Sequence, residues 1–143
     1  MKEILIQLLT AFLGSMGFSM LFGLRWRYLF LASLGGVIAW GVYLGMQAWA
    51  QVGFLSCLAA AAIAVIYAEG LARALKTPAT LFAIPAILPL VPGSSLYYAM
   101  NSAVRGDLAS ARTFGAQTLA YALAIAAGIS LVTALRQFRT KKQ

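Results

Sequence analysis

Apolar residues in this chain come in runs too long for a soluble core helix, and the few charges fall almost entirely between the runs. Ile4 to Leu24 carries no charge and ends at Arg25-Trp26-Arg27-Tyr28, a basic corner with interfacial aromatics. A second run extends from Tyr28 to Trp49, and Gln51 opens a third that passes through the alanines Ala59 to Ala62. Thr77 to Val104 and Thr113 to Leu135 complete the set. About 20 apolar residues suffice for a helix to cross a bilayer. The pattern therefore predicts an all-α integral membrane protein of one domain, with five transmembrane helices over 4–24, 28–49, 51–72, 77–104 and 113–135. A basic tail, 136–143, follows. Strand alternation, linkers, low-complexity segments and internal repeats are not evident. The first run lacks the basic n-region and the cleavage site of a secretory signal, so a mature helix is expected there.

The fourth run is unlike the others. Pro85, Pro89, Pro92 and Gly93 fall in the middle of it. Each proline removes an N–H and crowds the carbonyl four residues back, while glycine frees the backbone to turn. The segment Pro89-Leu-Val-Pro92-Gly93 should break the helix into two halves. Freed backbone groups survive in hydrocarbon only when buried in protein or lining a wet cavity. Ser94 and Ser95 then open the second half, where unsatisfied N–H groups and the helix dipole favour an anion. Broken helices of this kind form substrate sites in secondary transporters. The competing reading is a kink that serves packing only.

Composition narrows the chemistry. The chain is 62% hydrophobic and 10% charged, with a net charge of +8. In a soluble protein that balance would suggest nucleic acid. Here the basic residues lie in short loops and the tail, which marks membrane orientation and not a nucleic-acid partner. There is no histidine and a single cysteine, Cys57, within an apolar run. Intrachain disulfides and His/Cys metal sites are excluded, no cofactor is expected, and Cys57 reads as a small buried hydrophobe. No catalytic arrangement of Ser, His and Asp is present, so an enzyme is not expected.

With five crossings, one side collects Arg25, Arg27, Arg73, Lys76, Arg136, Arg139, Lys141 and Lys142, and the other only Lys2, Arg105 and Arg112. A re-entrant fourth segment would leave the two sides nearly equal. The positive-inside bias thus favours a full crossing, with the N-terminus outside and the C-terminus cytoplasmic. At 1.5 Å per residue, Thr77 to Val104 reaches roughly 40 Å, enough to cross despite a break.

From Ser94, the residues Tyr98, Asn101 and Arg105 follow at helical spacing and form a polar stripe towards the outer surface. Gly93, Ser94, Ser95, Tyr98, Asn101 and Arg105 are the candidate substrate-binding residues, with Pro89, Pro92 and Gly93 making the break. Hydrogen bonding between helices and snorkelling of Arg105 are the structural alternatives. Glu69, the one acid inside a predicted span, is a candidate for proton coupling. It also stands four residues before Arg73, the favourable order for an ion pair, and that structural role is preferred. Asp107 reads as a helix N-cap. Small-residue stripes (Ser15, Ser19 and Gly23; Gly41 and Gly45; Ala116, Ala120, Ala124 and Gly128) suit close helix contact, and Gln7, Thr10 and Gly14 share a face suited to a partner helix. Those faces await either a partner or further copies of this chain.

The stretch Leu81-Phe-Ala-Ile-Pro85-Ala-Ile-Leu-Pro89-Leu-Val-Pro92-Gly93-Ser-Ser-Leu-Tyr97-Tyr-Ala-Met100, followed by Asn-Ser-Ala-Val-Arg105, resembles the signature of the threonine/serine exporter family. Gly17-Phe18-Ser-Met20-Leu-Phe22 and Leu34-Gly35-Gly36 are similar to its small, YjjB-like half, as are the length and the number of spans. The resemblance covers most of the chain, and the Pro-x-x-Pro-Gly segment is its most specific part. It implies a secondary exporter of threonine and serine, or of dicarboxylates such as succinate, driven by the proton gradient across the inner (cytoplasmic) cell membrane. It also implies a larger YjjP-like subunit, absent from this chain and needed in trans. A membrane scaffold that does not itself transport is the alternative.

Overall fold

The computed structural model describes residues 2–140, with side chains through Phe138, and every element among them is helical. The elements are α1 (Lys2–Leu21), α2 (Trp26–Ala50), α3 (Gly53–Leu75), α4 (Thr80–Ile87), a 3₁₀ turn (Leu88–Leu90), α5 (Gly93–Val104) and α6 (Leu108–Thr140). Four of the helices are long and apolar enough to cross a membrane, and α4 with α5 makes a fifth if the pair is one span. The protein is an all-α, multi-pass membrane protein.

Packing runs α1 on α2, α2 on α3 and α3 on α6, with α4 seated against α2 and α3 and α5 against α6. Small residues set these contacts. Ala60, Ala61 and Ala64 of α3 are fully buried, as is Ala124 of α6. A Cβ on Gly128 would lie 2.6 Å from the Leu58 carbonyl, so α6 approaches the α3 backbone as closely as glycine allows. The stripe expected on the fifth span is thus used from Ala124 to Gly128, while Ala116 is exposed. On α1, Ala11, Ser15 and Ser19 are buried, but Gly23 leaves the stripe for the turn after the helix, at φ +65°. Gly45 meets nothing within 4 Å and Gly41 only Leu8 at 3.9 Å. The α2 glycines that do receive neighbours are Gly35 and Gly36. A Cβ on Gly35 would fall 2.9 Å from Ala86, and one on Gly36 would collide with the Ser15 hydroxyl and lie 3.4 Å from Pro89.

The largest differences from the hydropathy reading are at the two ends of α6. α6 starts at Leu108, because Asp107 caps it: its carboxylate accepts the Ser110 N–H at 3.1 Å. Hydrogen bonding from Ser110, hydroxyl first and then backbone, holds the Asp107 carboxyl below the usual carboxylate range. α6 also continues through Arg136 to Thr140, into the segment that the sequence reads as a basic tail. Cationic residues suit a helix C-terminus, and Arg136 reaches Glu69 across the bundle. Lys141 and Lys142 lie outside the described residues, as does the side chain of Arg139.

Candidate binding site at the helix break

Pro85 is accommodated inside α4, and the helix fails where the next two prolines fall. The chain tightens into a 3₁₀ turn over Leu88–Leu90, closed by the Val91 N–H on the Leu88 carbonyl at 3.1 Å. Pro92 then takes φ −77° and ψ 58°, and the Gly93 N–H donates back to the Val91 carbonyl at 2.7 Å, an inverse γ-turn. α4 with its 3₁₀ extension and α5 meet at 53°. The sequence reading gave the freedom to turn to Gly93. The structure corrects this. Pro92 makes the turn within its own fixed φ, and Gly93 is an ordinary first helical residue with nothing within 4 Å of a Cβ.

Ser94 and Ser95 open α5, as the break predicts. In the first turn their N–H groups have no carbonyl within the helix to receive them. Ser95 is 7% exposed and donates its hydroxyl to the Pro92 carbonyl at 3.1 Å, fastening the turn. The Ser94 side chain is exposed.

Both serines face a cavity of about 350 Å³, with Tyr98, Pro89, Leu90, Val91 and Pro92 as neighbours on the same segment. The rest of its wall is Trp40 and Tyr43 of α2, Cys57 of α3, and Phe114, Gln117 and Tyr121 of α6. This size lies at the lower end of the about 300–1,000 Å³ found for small-molecule sites. Trp40 stacks on Tyr43 with ring centres 5.0 Å apart, and Tyr98 meets Phe114 at 5.5 Å. The Gln117 amide donates to the Tyr121 hydroxyl at 3.1 Å, and the Trp40 indole to the Gln7 side-chain oxygen at 3.3 Å. Gln7 therefore serves an internal contact, while Thr10 bonds its own helix.

The structure thus brings together Ser94, Ser95, Tyr98, Pro89 and Pro92 on one cavity. Gly93, Asn101 and Arg105 are not in its wall. The stripe from Ser94 to Arg105 leaves the cavity after Tyr98, and α5 packs chiefly on α6. Sequence reasoning missed the α2 and α6 contributions. A signal for them existed: Phe114, Gln117 and Tyr121 share one face of an alanine-rich helix, and Trp40 and Tyr43 are one turn apart.

Glu69 is away from this cavity. It is buried, with Arg73 at 3.8 Å as its sequence neighbour predicted and Arg136 closer at 3.2 Å. The second contact crosses from α3 to α6 and could not be read from local spacing. Together with Thr133 and Gln137, Glu69 and Arg136 line a smaller hollow of about 220 Å³. Among the described residues there is no cluster of metal-ligating side chains.

No curated protein and no solved structure matches the chain. The family model described as "Threonine/Serine exporter, ThrE" matches residues 7–135, a span that takes in the break, the cavity and Glu69, and the chain belongs to this family of exporter-type transporters.

Proposed function

We propose that the chain is the small membrane subunit of a two-component secondary exporter of small carboxylate-bearing metabolites, with threonine and serine as the first candidates. One observation supports this reading above others: in a chain of exporter family, the broken helix opens onto a cavity of small-molecule size. The Ser94 and Ser95 N–H groups and the Ser94 hydroxyl offer donors for a carboxylate. The site is assembled from three further helices, so a movement of α5 on α6 would open or close it. Coupling to the proton gradient is part of the proposal. Glu69 is a buried acid within a span, and with two guanidinium groups on it we read it as a clamp between α3 and α6. The proton carrier is then sought in the larger YjjP-like subunit. In the cell membrane the charge bias places the N-terminus outside and the C-terminus in the cytoplasm.

Efflux of labelled threonine, serine and succinate, with and without the co-expressed larger subunit, tests this. Efflux is expected only from the pair. Robust efflux from the purified chain alone in liposomes would sink the two-component reading. Absence of efflux from both arms, with both proteins inserted, would favour a scaffold that does not transport. Reporter fusions at Met1 and Gln143 check the topology, and a cytoplasmic signal at both ends would make 77–104 re-entrant.

A further inference from the structure

We infer that the aromatic wall supplied by α2 and α6 recognises an ammonium group, so that the cavity takes zwitterionic amino acids and rejects dianions such as dicarboxylates. The inference rests on the reading of this cavity as the transport site and adds the determinants of its selectivity. No charged side chain is among the residues that line it. Arg105, at the far end of α5, is eleven residues beyond Ser94, about 16 Å along the helix. A ligand must therefore bring its own charge balance. A dianion would leave charge uncompensated in a low-dielectric site, which is far more costly than placing a neutral polar group there.

A zwitterion fits the wall at both of its ends. Its carboxylate matches the donors of the α5 first turn. For its ammonium the wall offers the rings of Trp40, Tyr43 and Tyr121, with Tyr98 of α5 beside them, and aromatic rings attract cations through their quadrupoles. Acceptor oxygens lie among them. Because the Gln117 amide nitrogen is engaged with the Tyr121 hydroxyl, the Gln117 carbonyl oxygen remains to accept an ammonium N–H. A net-neutral ligand with one acidic and one cationic end uses every part of this lining. A ligand with two acidic ends uses one part only.

The test is uptake of labelled L-threonine into everted membrane vesicles carrying the co-expressed pair. Unlabelled serine should compete. Succinate and 3-hydroxybutyrate, which is threonine without its ammonium, should compete at least about tenfold more weakly. Tyr43→Leu and Tyr121→Leu should each raise the KM for threonine about tenfold, while Tyr43→Phe and Tyr121→Phe, which keep the ring face, stay within about threefold. Trp26→Phe, at an exposed position outside the cavity, should change nothing. Competition by 3-hydroxybutyrate as strong as that by serine overturns ammonium recognition and leaves export standing. An unchanged KM in both leucine variants does the same. The competition arm uses the native pair, so it decides the matter even if a variant fails to insert. Vesicles that take up no threonine at all overturn the transport reading, and this inference with it.

Discussion

The two halves of the broken segment differ in apolar character, the first being the more apolar, and stand in opposite relations to the rest of the molecule. In α4, Phe82, Pro85 and Ala86 are buried, and α2 presents Gly35 and Gly36 to receive Ala86 and Pro89. In α5, Ser95 alone is buried, and Leu96, Tyr97, Met100 and Val104 are exposed. The first half is an anchor wedged between α2 and α3. The second is an arm laid along α6, with Tyr98 against Phe114 as one of its contacts. The prolines lie at the junction, so the cavity forms where fixed and lightly held backbone meet. Damage to the anchor should be read in stability, and damage to the junction or arm in transport.

The largest expected effect comes from erasing the junction. Pro89→Ala, Pro92→Ala and Gly93→Ala together restore good helix formers, so insertion should persist while the 53° bend is lost. Efflux by the co-expressed pair, normalised to inserted protein, is expected to disappear. Normal efflux from the triple variant means that the break is only a packing kink.

Next comes the anchor itself. Phe82 is fully buried and its ring meets Tyr28 edge-on at 5.9 Å. Phe82→Ala should cost about 3–5 kcal/mol, seen as a large drop in thermal stability in detergent. On the arm, Tyr97 is 65% exposed, and Tyr97→Ala should stay within about 0.5 kcal/mol. Equal losses would show that the arm is held as firmly as the anchor.

Glycine substitution gives a finer contrast. Gly36→Ala sets a Cβ against the Ser15 hydroxyl and within 2.9 Å of the Ser15 Cβ, so α1 must move. A loss of about 1–3 kcal/mol is expected. Gly93→Ala meets nothing, at a helical φ that alanine accepts, and should leave the stability unchanged or slightly raised.

These contrasts also mark what was legible in the residues alone. The spans, the break, the serine pair at the start of α5, the Asp107 cap and the Glu69–Arg73 pair all follow from local rules: hydropathy, proline geometry and helical spacing. What escaped is non-local. That Arg136 is the nearer partner of Glu69, and that Trp40, Tyr43 and Tyr121 close the cavity, depends on which helix faces lie together. Gly35 and Gly36 were visible as glycines. Their use as the seat of the break depends on where α4 crosses α2. The Gly93 error has another cause: glycine permits a positive φ, but the turn needed only the conformation that Pro92 already holds.

The smallest expected effect separates the two serines, which the sequence treats alike. Ser94 is exposed on the cavity, while Ser95 is buried and bonded to the Pro92 carbonyl. Ser94→Ala removes a donor available to a ligand and nothing that holds the fold. Threonine binding by the pair should weaken by about 1 kcal/mol, roughly fivefold, with thermal stability unchanged. Ser95→Ala frees the γ-turn from its side-chain bond, so the cradle loosens even though that hydroxyl is already engaged. It should lower stability by about 1 kcal/mol and weaken binding only as far as the first turn shifts. Measuring affinity and melting temperature for both variants separates the serine that serves the ligand from the one that holds the turn. If Ser94→Ala lowers stability while Ser95→Ala changes only affinity, the assignment of the two hydroxyls is reversed and the ligand sits deeper, against Pro92.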